Sequence, residues 1–542
     1  MPKVIIDGRE LEIPAGRRVN AIEAAALVGI QIPFYCYHPG LAVVGSCRMC
    51  LVEVGRVDAK TGAVSLGPKL APACNTLLSD GMVVVTNSEK VRRARAMVEE
   101  GLLLRHPIDC PICDKAGECL LQDYHFQHGQ DARRADLLPV TSRRCDLGDV
   151  TLFIDRCVMC SRCVRFCQTV SGTGELMVTR RGARAEIDVV PGFPLHNNLS
   201  GNVVDLCPVG ALADKDFLYQ QRVWFLRSHE AVCTGCAIGC SIWVQENQDR
   251  VYRLKPRDNP HVNKWWICNE GRYGYHHVHD RRRLAEPRHR PHGGQSVALG
   301  WDGLVDELRD KLHSAGRLAG VLSPMLTAEE AFLLCQFLRD IDPQAELALG
   351  PVPRVGQEQV FSGFVVSAEK CPNRRGVTEV VAHFAKRLQT FEEFLAGLPG
   401  SNIRGAWIAG GYQSDWIDEP TAGRLAAVPL LVVQDLFPSP LSERATYELP
   451  GAAFAEREGS YVNRGDRLQV SRLAVRPPWG VHPEGELYWE LLQRKGLYDA
   501  RAVLDELARQ ILYFSAAAGP VPDVGIDLKI NLLAHADSEP AA

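Results

Sequence analysis

The placement of the cysteines constrains this chain more than any other feature of its sequence. Fifteen of the 19 cysteines, together with one histidine, form four consecutive groups of four side chains. Each group has some members close together and one that returns from a more distant segment, as expected where ligands converge on one small inorganic core. We call the groups the first to fourth sets: Cys36, Cys47, Cys50 and Cys74; His106, Cys110, Cys113 and Cys119; Cys157, Cys160, Cys163 and Cys207; and Cys233, Cys236, Cys240 and Cys268.

Zinc sites and disulfides are the alternatives to iron-sulfur clusters. Paired C-x2-C motifs also build tetrahedral zinc sites, and disulfide scaffolds suit short secreted chains. This chain has 542 residues, an odd number of cysteines and no charged-then-apolar leader at its start. We therefore expect a reducing cytoplasm and iron-sulfur clusters, because three close cysteines with a remote fourth are typical of ferredoxins.

Composition adds few constraints. The formal net charge is −4, and the length indicates several domains rather than one core. Two basic stretches, at residues 133–144 and 281–292, are interpreted as solvated loops or docking surfaces, so no nucleic-acid partner is expected. No apolar run approaches the roughly 18 residues that span a bilayer, so any membrane association would be peripheral.

The first set lies in a predicted 2Fe-2S domain at residues 1–80. Two alternating runs around Asp7-Gly8 predict a strand hairpin. Asn20, with Glu23 three residues later, predicts a capped helix. This order matches a plant-type ferredoxin, but the first three cysteines are spaced x10 then x2 instead of x4 then x2.

The second set predicts a helical 4Fe-4S domain at residues 81–140, with one histidine and three cysteines as ligands. A helix starting at Thr86, with Glu89 in capping position, is expected to lead towards His106. Alone, such a histidine would be a surface residue, but cysteines follow it at +4, +7 and +13. Imidazole in place of thiolate removes a negative charge, which tends to raise the reduction potential.

The third set predicts a ferredoxin-like 4Fe-4S domain at residues 141–220. Two-cluster ferredoxins carry C-x2-C-x2-C-x3-C-P, where the fourth cysteine serves another cluster. Here that fourth cysteine, Cys167, precedes Gln168, and the Cys-Pro pair lies downstream at Cys207-Pro208. We therefore predict that Cys207 completes the third set, that Cys167 is a buried structural thiol and that Cys145 is unpaired.

With these motifs, residues 1 to about 275 resemble the large iron-sulfur subunit of respiratory complex I, the NADH:quinone oxidoreductase (75-kDa subunit in mitochondria, G subunit in bacteria). The resemblance implies that all members of the first three sets are ligands. It implies that electrons from the flavin enter at the first set, pass to the third and then to the second, and continue towards quinone. The implied partners are the flavin- and NADH-binding subunit, other peripheral-arm subunits and, indirectly, the membrane arm. The implied location is the cytoplasmic face of the inner membrane, and the chain itself would hold no complete active site.

The fourth set, C-x2-C-x3-C-x27-C, resembles the 4Fe-4S domain of molybdopterin oxidoreductases and is assigned to residues 221–277. Residues 278–542 are predicted to form a shortened, Rossmann-type α/β domain of that class without its cofactor. Strands and helices alternate there. The main signals are a strand ending in Leu322-Ser323-Pro324, a capped helix from Thr327 with Glu330, a strand from Val432 to Asp435, a turn at Gly410-Gly411, and the segment with Glu456, Gly459, Asn463 and Arg467.

The sequence thus predicts a multidomain α+β and α/β chain with one 2Fe-2S cluster, three 4Fe-4S clusters and no molybdopterin. The alternative is the iron-sulfur subunit of an NAD-linked hydrogenase or formate dehydrogenase. Cys371 is the one candidate ligand for a catalytic molybdenum, but its setting, Lys370-Cys371-Pro372, lacks the adjacent histidine expected there. The roles of Cys335 and Cys371 stay open.

Overall fold

The computed structural model describes residues 2–14, 16, 18–58, 60–291 and 294–529. Residue 1, residue 292 of the second basic stretch and the end of the predicted last domain, residues 530–542, lie outside the described residues. The chain forms two compact units. One contains residues 1–225 and 361–363, and the other contains residues 226–360 and 364–542.

A mixed sheet with one helix forms the start of the first unit. Its strands follow the order β2-β1-β6-β3-β4, with β5 beside β3 and β1 parallel to β6. Asp7 and Gly8 have φ values of 46° and 80°, which close the predicted hairpin, and Asn20 and Glu23 form the predicted capping box. The elements are β1 (Lys3–Ile6), β2 (Arg9–Glu12), α1 (Ala21–Leu27), β3 (Leu51–Val57), β4 (Val64–Leu66), β5 (Ala71–Pro72) and β6 (Met82–Val85).

Two helices follow, α2 (Glu89–Leu103) and α3 (Leu120–His128). The predicted start of α2 at Thr86 is wrong, because Ser88 is its N-cap and accepts a hydrogen bond from Val91 N. Thr86 is engaged elsewhere: its backbone N–H donates to Asp7 Oδ1 at 2.7 Å. The carboxylate of Asp7, in the β1–β2 turn, thus binds Thr86, which the sequence pattern assigned to the cap of α2.

Small sheets and short helices complete the first unit. The strand order of its three-stranded sheet is β11-β8-β7, and β9 and β10 form an antiparallel pair. The elements are β7 (Arg144–Asp146), β8 (Val150–Phe153), α4 (Arg162–Thr169), β9 (Leu176–Thr179), β10 (Glu186–Val189), α5 (Asn202–Leu206) and β11 (Leu212–Asp214).

The second unit begins with an antiparallel three-stranded sheet and a short helix. The sheet has the order β12-β13-β14, and Val232 pairs with Ser241 at the end of the first two strands. The elements are β12 (Arg227–Val232), β13 (Ser241–Asn247), β14 (Arg250–Pro256) and α6 (Asn269–Tyr273).

The rest of the second unit is built on a seven-stranded sheet of order β16-β15-β23-β22-β21-β17-β18, in which the five strands from β23 to β18 run parallel. The elements are β15 (Arg288–His289), β16 (Val297–Ala298), α7 (Leu304–Ala315), β17 (Leu318–Leu322), α8 (Ala328–Ile341), β18 (Glu346–Leu349), β19 (Gln359–Phe361), β20 (Phe364–Val366), α9 (Arg374–Phe384), α10 (Phe391–Gly397), β21 (Gly405–Ala409), α11 (Glu419–Leu425), β22 (Leu430–Asp435), β23 (Tyr447–Pro450), β24 (Gly459–Val462), β25 (Arg467–Ser471), α12 (Glu484–Leu491), α13 (Ala500–Gln510) and β26 (Ile526–Asp527).

Helices cover both faces of this sheet, as the alternating strands and helices predicted. Trp407 and Val432 pack into a core with α7, α8, α12 and α13, while Ile408 and Val433 point to the other face, towards α10 and α11. Strands buried on both faces explain the continuous apolar runs of the sequence. Within the described ranges, no helix combines the length and apolarity that crossing a membrane requires.

Candidate metal centres

Strand pairing brings the members of the first set together. Cys50 immediately precedes β3, and Cys74 follows β5; the two strands pair, and Ala73 N donates to Cys50 O at 2.9 Å. Gly45 and Arg48, with φ values of 59° and 61°, turn the loop that carries Cys47. The loop thereby returns to the sheet between Cys36 and Cys50.

The thiols of the first set shift one another's pKa values. Hydrogen bonds with Cys47 and Cys74 hold the pKa of Cys36 well below its usual range, and the same bonds raise the pKa of both partners. A hydrogen bond with Cys74 lowers the pKa of Cys50 to about 7. Four thiols that compete for the same protons around one point form a donor set that fits a 2Fe-2S group.

The second set is delivered by the chain between α2 and α3. Cys119 is the N-cap of α3, and burial raises the pKa of its thiol to about 11. All four members line one cavity. A side chain at Gly210, which lines the same cavity, would collide with Cys113 Sγ.

His106 is prepared to act as a neutral ligand. Its Nδ1 atom is buried and has no hydrogen-bond partner among the described residues. Burial, aided by the cation of Arg156, lowers the pKa of His106 to about 4. A neutral imidazole has one nitrogen with a free lone pair, and a buried Nδ1 without a hydrogen-bond partner fits metal coordination at this position.

The third set surrounds a second cavity. Met159 and Ser161 adopt φ values of 51° and 58°, which wind the loop tightly, and Met159 N donates to Cys157 Sγ at 3.3 Å. Cys163 lies in α4 and Cys207 caps the end of α5, which packs against α4. The cavity is thus lined by all four predicted members.

Burial disfavours the charged thiolate forms of the third-set cysteines. It raises the pKa of Cys160 to about 11 and that of Cys163 well above its usual value, and the neighbouring thiols add to the effect. Several thiolates in an apolar cavity repel one another and lack solvation. A cationic inorganic core would compensate both costs, so the donor set fits a cluster.

The fourth set is built on the turn between β12 and β13. Cys233 and Cys240 flank the turn, and Cys233 N donates to Cys240 O at 2.8 Å. Cys268 caps α6, with Gly271 N donating to its Sγ at 3.3 Å. A Cβ at Gly271 would lie 3.0 Å from Cys233 Sγ and 3.5 Å from Cys268 Sγ, so a glycine is needed where the two thiols approach the helix.

Side chains of the α/β domain support the turn that carries the fourth set. Asn463 Nδ2 donates to Ile238 O at 3.0 Å, and Gln469 Nε2 donates to Gly239 O at 2.7 Å. Both donors are buried. The predicted segment with Asn463 therefore has a structural role in holding this turn.

Two contacts place the third set beside the second. Arg156, which precedes Cys157, forms an ion pair with Asp109 at 2.9 Å. Leu120 N donates to Pro208 O at 2.9 Å, which joins the residues that follow Cys119 and Cys207. Sequence reasoning missed both contacts, because only the fold brings these loops together.

The first set is joined to the third by Arg165. Its guanidinium donates hydrogen bonds to the carbonyl oxygens of Cys36 and Cys160, the latter at 3.3 Å. In the sequence, the only indication of these hydrogen bonds was a basic residue two positions after Cys163 on the same helix.

The remaining cysteines lie apart from the two cavities. Cys167 is fully buried in α4, and its thiol faces Glu175 and Ser171. Cys145 is half-buried in β7. No disulfide forms among the 19 cysteines, all of which lie in described ranges. Within those ranges, no three side chains of His, Cys, Asp or Glu lie in an arrangement that would hold a single metal ion.

Buried side chains contact one another at the carboxyl edge of the parallel sheet, where α/β folds usually bind ligands. Tyr412 stacks on Trp416, and its hydroxyl donates to Pro351 O at 2.7 Å. Asp435 accepts from Gly411 N at 2.9 Å and from Trp416 Nε1 at 2.7 Å. Cys371 is buried in this same apolar cluster and Cys335 in the core under the sheet.

Four family models match consecutive parts of the chain. They are the 2Fe-2S iron-sulfur cluster binding domain at residues 3–89, the NADH-ubiquinone oxidoreductase-G iron-sulfur binding region at residues 95–134, the ferredoxin-like domain of NADH-quinone oxidoreductase subunit 3 at residues 149–213, and the molybdopterin oxidoreductase Fe4S4 domain at residues 226–280.

Curated relatives point to the same proteins. The NADH-ubiquinone oxidoreductase 75 kDa subunit of Reclinomonas americana is 35% identical over 63% of this chain and 48% of its own length. The NADH-quinone oxidoreductase G subunit of Rickettsia bellii is 33% identical over 63% of this chain and 48% of its own length. For the G subunit of Streptomyces coelicolor the values are 34%, 63% and 40%.

The chain spans about half the length of the curated relatives it matches. A solved NAD⁺-reducing [NiFe]-hydrogenase, in its H₂-reduced state, is 26% identical over 41% of this chain and 91% of that chain, with a TM-score of 0.34, which is too low to support a structural argument. The resemblance inferred from the ligand motifs is confirmed: this chain is similar to the G and 75 kDa subunits of NADH-quinone and NADH-ubiquinone oxidoreductases.

Proposed function

We propose that this chain is the electron-transferring iron-sulfur subunit of NADH:quinone oxidoreductase, complex I. It would relay electrons from a flavin subunit towards quinone and contribute no complete active site of its own. The observation that carries the proposal is the run of 2Fe-2S, NADH-ubiquinone oxidoreductase-G and ferredoxin-like domain matches, which has the order found for the cysteine sets.

We assign the ligands set by set. The first set would hold a 2Fe-2S group, and the other three would each hold a 4Fe-4S group. The lone pair of His106 and the collision expected at Gly210 support the second assignment. When bound, such groups accept and release single electrons. The chain's own residues would hold these groups and fix their spacing.

The proposed route enters at the first set, continues to the third and leaves from the second. Two structural features support this order. Arg165 joins the loops of the first and third sets, and the Arg156–Asp109 ion pair joins those of the third and second. Chain order and electron order would therefore differ.

The fourth set and the α/β domain are proposed to be structural. At the carboxyl edge of the parallel sheet, Trp416 contacts Tyr412 and Asp435, which supports a domain without molybdopterin. The proposed partners are the flavin- and NADH-binding subunit and other peripheral-arm subunits. We place the chain on the cytoplasmic face of the inner membrane, within the peripheral arm.

Metal content tests the ligand assignment. After anaerobic purification, elemental analysis should give about 14 irons per chain, two in the 2Fe-2S group and four in each 4Fe-4S group. Stoichiometric zinc or molybdenum would contradict the assignment.

Gene deletion tests the assembly. Membranes from a deletion strain should lose NADH:quinone oxidoreductase activity, and the wild-type gene should restore it. Unchanged activity, with loss of hydrogen- or formate-dependent reduction of NAD⁺ instead, would refute the proposed function.

A further inference from the structure

A single guanidinium group connects the loops that carry two different sets. Arg165 lies in α4 and is half-buried. Its Nη2 atom donates to the carbonyl oxygens of Cys36, in the first set, and Cys160, in the third, the second bond measuring 3.3 Å. Its Nη1 atom donates to Ala42 O at 2.5 Å, and its Nε atom to Ser161 Oγ at 3.3 Å.

The charge on Arg165 has no carboxylate partner. Among the described residues, no Asp or Glu oxygen lies within ion-pair distance of it, and its side-chain hydrogen bonds end on neutral oxygens. The acidic groups that interact most strongly with its charge are thiols of the two sets, Cys160 and Cys163 of the third and Cys36 and Cys47 of the first. By contrast, Arg156 between the third and second sets is neutralised by Asp109.

We infer that Arg165 is a positioning residue for electron transfer between the first and third sets, through a hydrogen-bonded bridge and an uncompensated positive charge. The inference rests on the proposed function, because it presupposes iron-sulfur groups at both sets. In the step concerned, one electron leaves the reduced 2Fe-2S group and enters the oxidised 4Fe-4S group. No bond forms or breaks, and Arg165 keeps all its protons.

The two contributions of Arg165 are physically separate. A fixed cation near both sets stabilises the extra negative charge of each reduced group, so it raises both reduction potentials. The bridge joins the backbones of two ligand residues through one nitrogen atom, so it holds the two loops at a fixed spacing. Lysine could retain the charge, but one ammonium nitrogen cannot replace the planar fork that bridges Cys36 and Cys160 through Nη2 while Nη1 donates to Ala42 O and Nε to Ser161 Oγ.

Three variants separate charge from bridge in the assembled complex. Arg165→Met removes both, Arg165→Gln keeps one donor without charge, and Arg165→Lys keeps the charge. Redox titration followed by electron paramagnetic resonance gives the midpoint potential of each group. Freeze-quench reduction with NADH gives the rate at which the third-set signal appears after the first-set signal.

We expect Arg165→Met and Arg165→Gln to lower the ratio of reduced to oxidised group roughly tenfold at a fixed potential. For a one-electron couple this corresponds to a midpoint potential that is ~59 mV lower. Arg165→Lys should keep both midpoints but slow the appearance of the third-set signal. Arg92→Met is the control, because Arg92 is exposed and donates only locally, to Asn87 O at 2.8 Å. It should change neither quantity.

The outcomes distinguish the inference from the proposed function. Unchanged midpoints and rates in the Met and Gln variants would overturn the role of Arg165, as would loss of both signals in all three variants, since that pattern shows a need in folding alone. If only Arg165→Met loses its signals, the midpoints and transfer rates of Arg165→Gln and Arg165→Lys test the role of Arg165. Absence of the 2Fe-2S and 4Fe-4S signals from the unmodified chain would instead refute the proposed function.

Discussion

His106 is the only proposed ligand that is not a thiol, and its environment suits that role. Its pKa is lowered to about 4 by burial, so the ring is neutral at physiological pH. Its buried Nδ1 atom finds no hydrogen-bond partner among the described residues. Leaving such a nitrogen unsatisfied costs about 1–3 kcal/mol, a cost that a coordinate bond would remove.

Replacing His106 by cysteine should retain the second-set cluster but lower its potential. Thiolate can replace imidazole as a ligand, yet it adds one negative charge to the site. Electron paramagnetic resonance should show a lower midpoint, and NADH:quinone electron transfer should slow. An unchanged spectrum and midpoint would show that His106 is not a ligand.

Gly210 provides a test of the second set that leaves every proposed ligand in place. In Gly210→Ala, the added Cβ would collide with Cys113 Sγ. We expect the second-set signal to be lost or strongly altered, while the first-set signal persists. Gly101→Ala is the matched control, because nothing lies within 4 Å of its added Cβ and alanine favours the helix by about 0.5–1 kcal/mol. A normal second-set signal in Gly210→Ala would contradict this assignment.

Residue spacing predicted which cysteines the fold would bring together, but not which residues would surround them. Cys207 lies 44 residues from Cys163, and the Cys-Pro pair was enough to connect it. Gly210 and Arg165 carried no comparable signal, because their roles depend on which loop returns next to which. Ligation itself stays a prediction for all four sets.

At the scale of elements, local capping signals were reliable where no remote group competed. Asn20 and Thr327 cap their helices as predicted, each with a glutamate three residues later. Thr86 failed because Asp7, from the β1–β2 turn, takes its N–H. Local sequence could not reveal a partner 79 residues away.

The start of α8 buries Glu329, a carboxyl group without a counter-ion among the described residues. It is 1% exposed and accepts a hydrogen bond from Ser460 N at 2.7 Å. Burial raises its pKa to about 7. The nearby Arg457 pairs with Glu330 instead, at 3.1 Å.

Glu329 should make the stability of the second unit depend on pH. Because its folded pKa exceeds the unfolded value of about 4.3, the folded state binds the proton more tightly, and stability falls as pH rises towards about 7. In Glu329→Gln this contribution disappears. As pH rises from 5.5 to 8, loss of the Glu329 proton should lower the free energy of unfolding of the wild type by about 2 kcal/mol. The variant should lack this decrease.

Urea unfolding of the full chain, followed by tryptophan fluorescence, measures this difference. Glu392→Gln, an exposed substitution in α10, is the control and should follow the wild type. Identical pH dependence in the wild type and Glu329→Gln would contradict the raised pKa.

At the scale of the whole molecule, sequence predicted the order of cluster-bearing parts and the parallel α/β sheet. Both come from patterns that are local along the chain, namely ligand spacing and continuous apolar strands. The sequence could not predict which side chains contact one another at the carboxyl edge of the sheet. Tyr412 reaches Pro351 O only because β18 and β21 lie on either side of β17.

The fourth set belongs to a different unit from the three sets of the proposed route. The first three sets lie in one unit, where Arg165 and the Arg156–Asp109 pair connect them. The fourth set lies in the other unit, and its turn is held by Asn463 and Gln469 of the α/β domain. We therefore expect the fourth set to stabilise its unit without carrying the main electron current.

Cys268→Ala tests this separation. Four cysteines that share one cluster couple metal binding to folding, so losing one should destabilise residues 221–275 and lower the yield of assembled complex. Complex that does assemble should keep most of its NADH:quinone activity per flavin, because the first three sets are intact.

The matched control is Cys335→Ala, which removes a buried thiol of the same unit outside the four sets. It creates a comparable cavity without touching a proposed ligand, so it should lower the yield through packing alone while all cluster signals persist. In Cys268→Ala, only the fourth-set signal should disappear. Severe loss of activity in fully assembled Cys268→Ala complex, with the other three signals intact, would show that the fourth set carries current, because its loss would then interrupt transfer rather than folding.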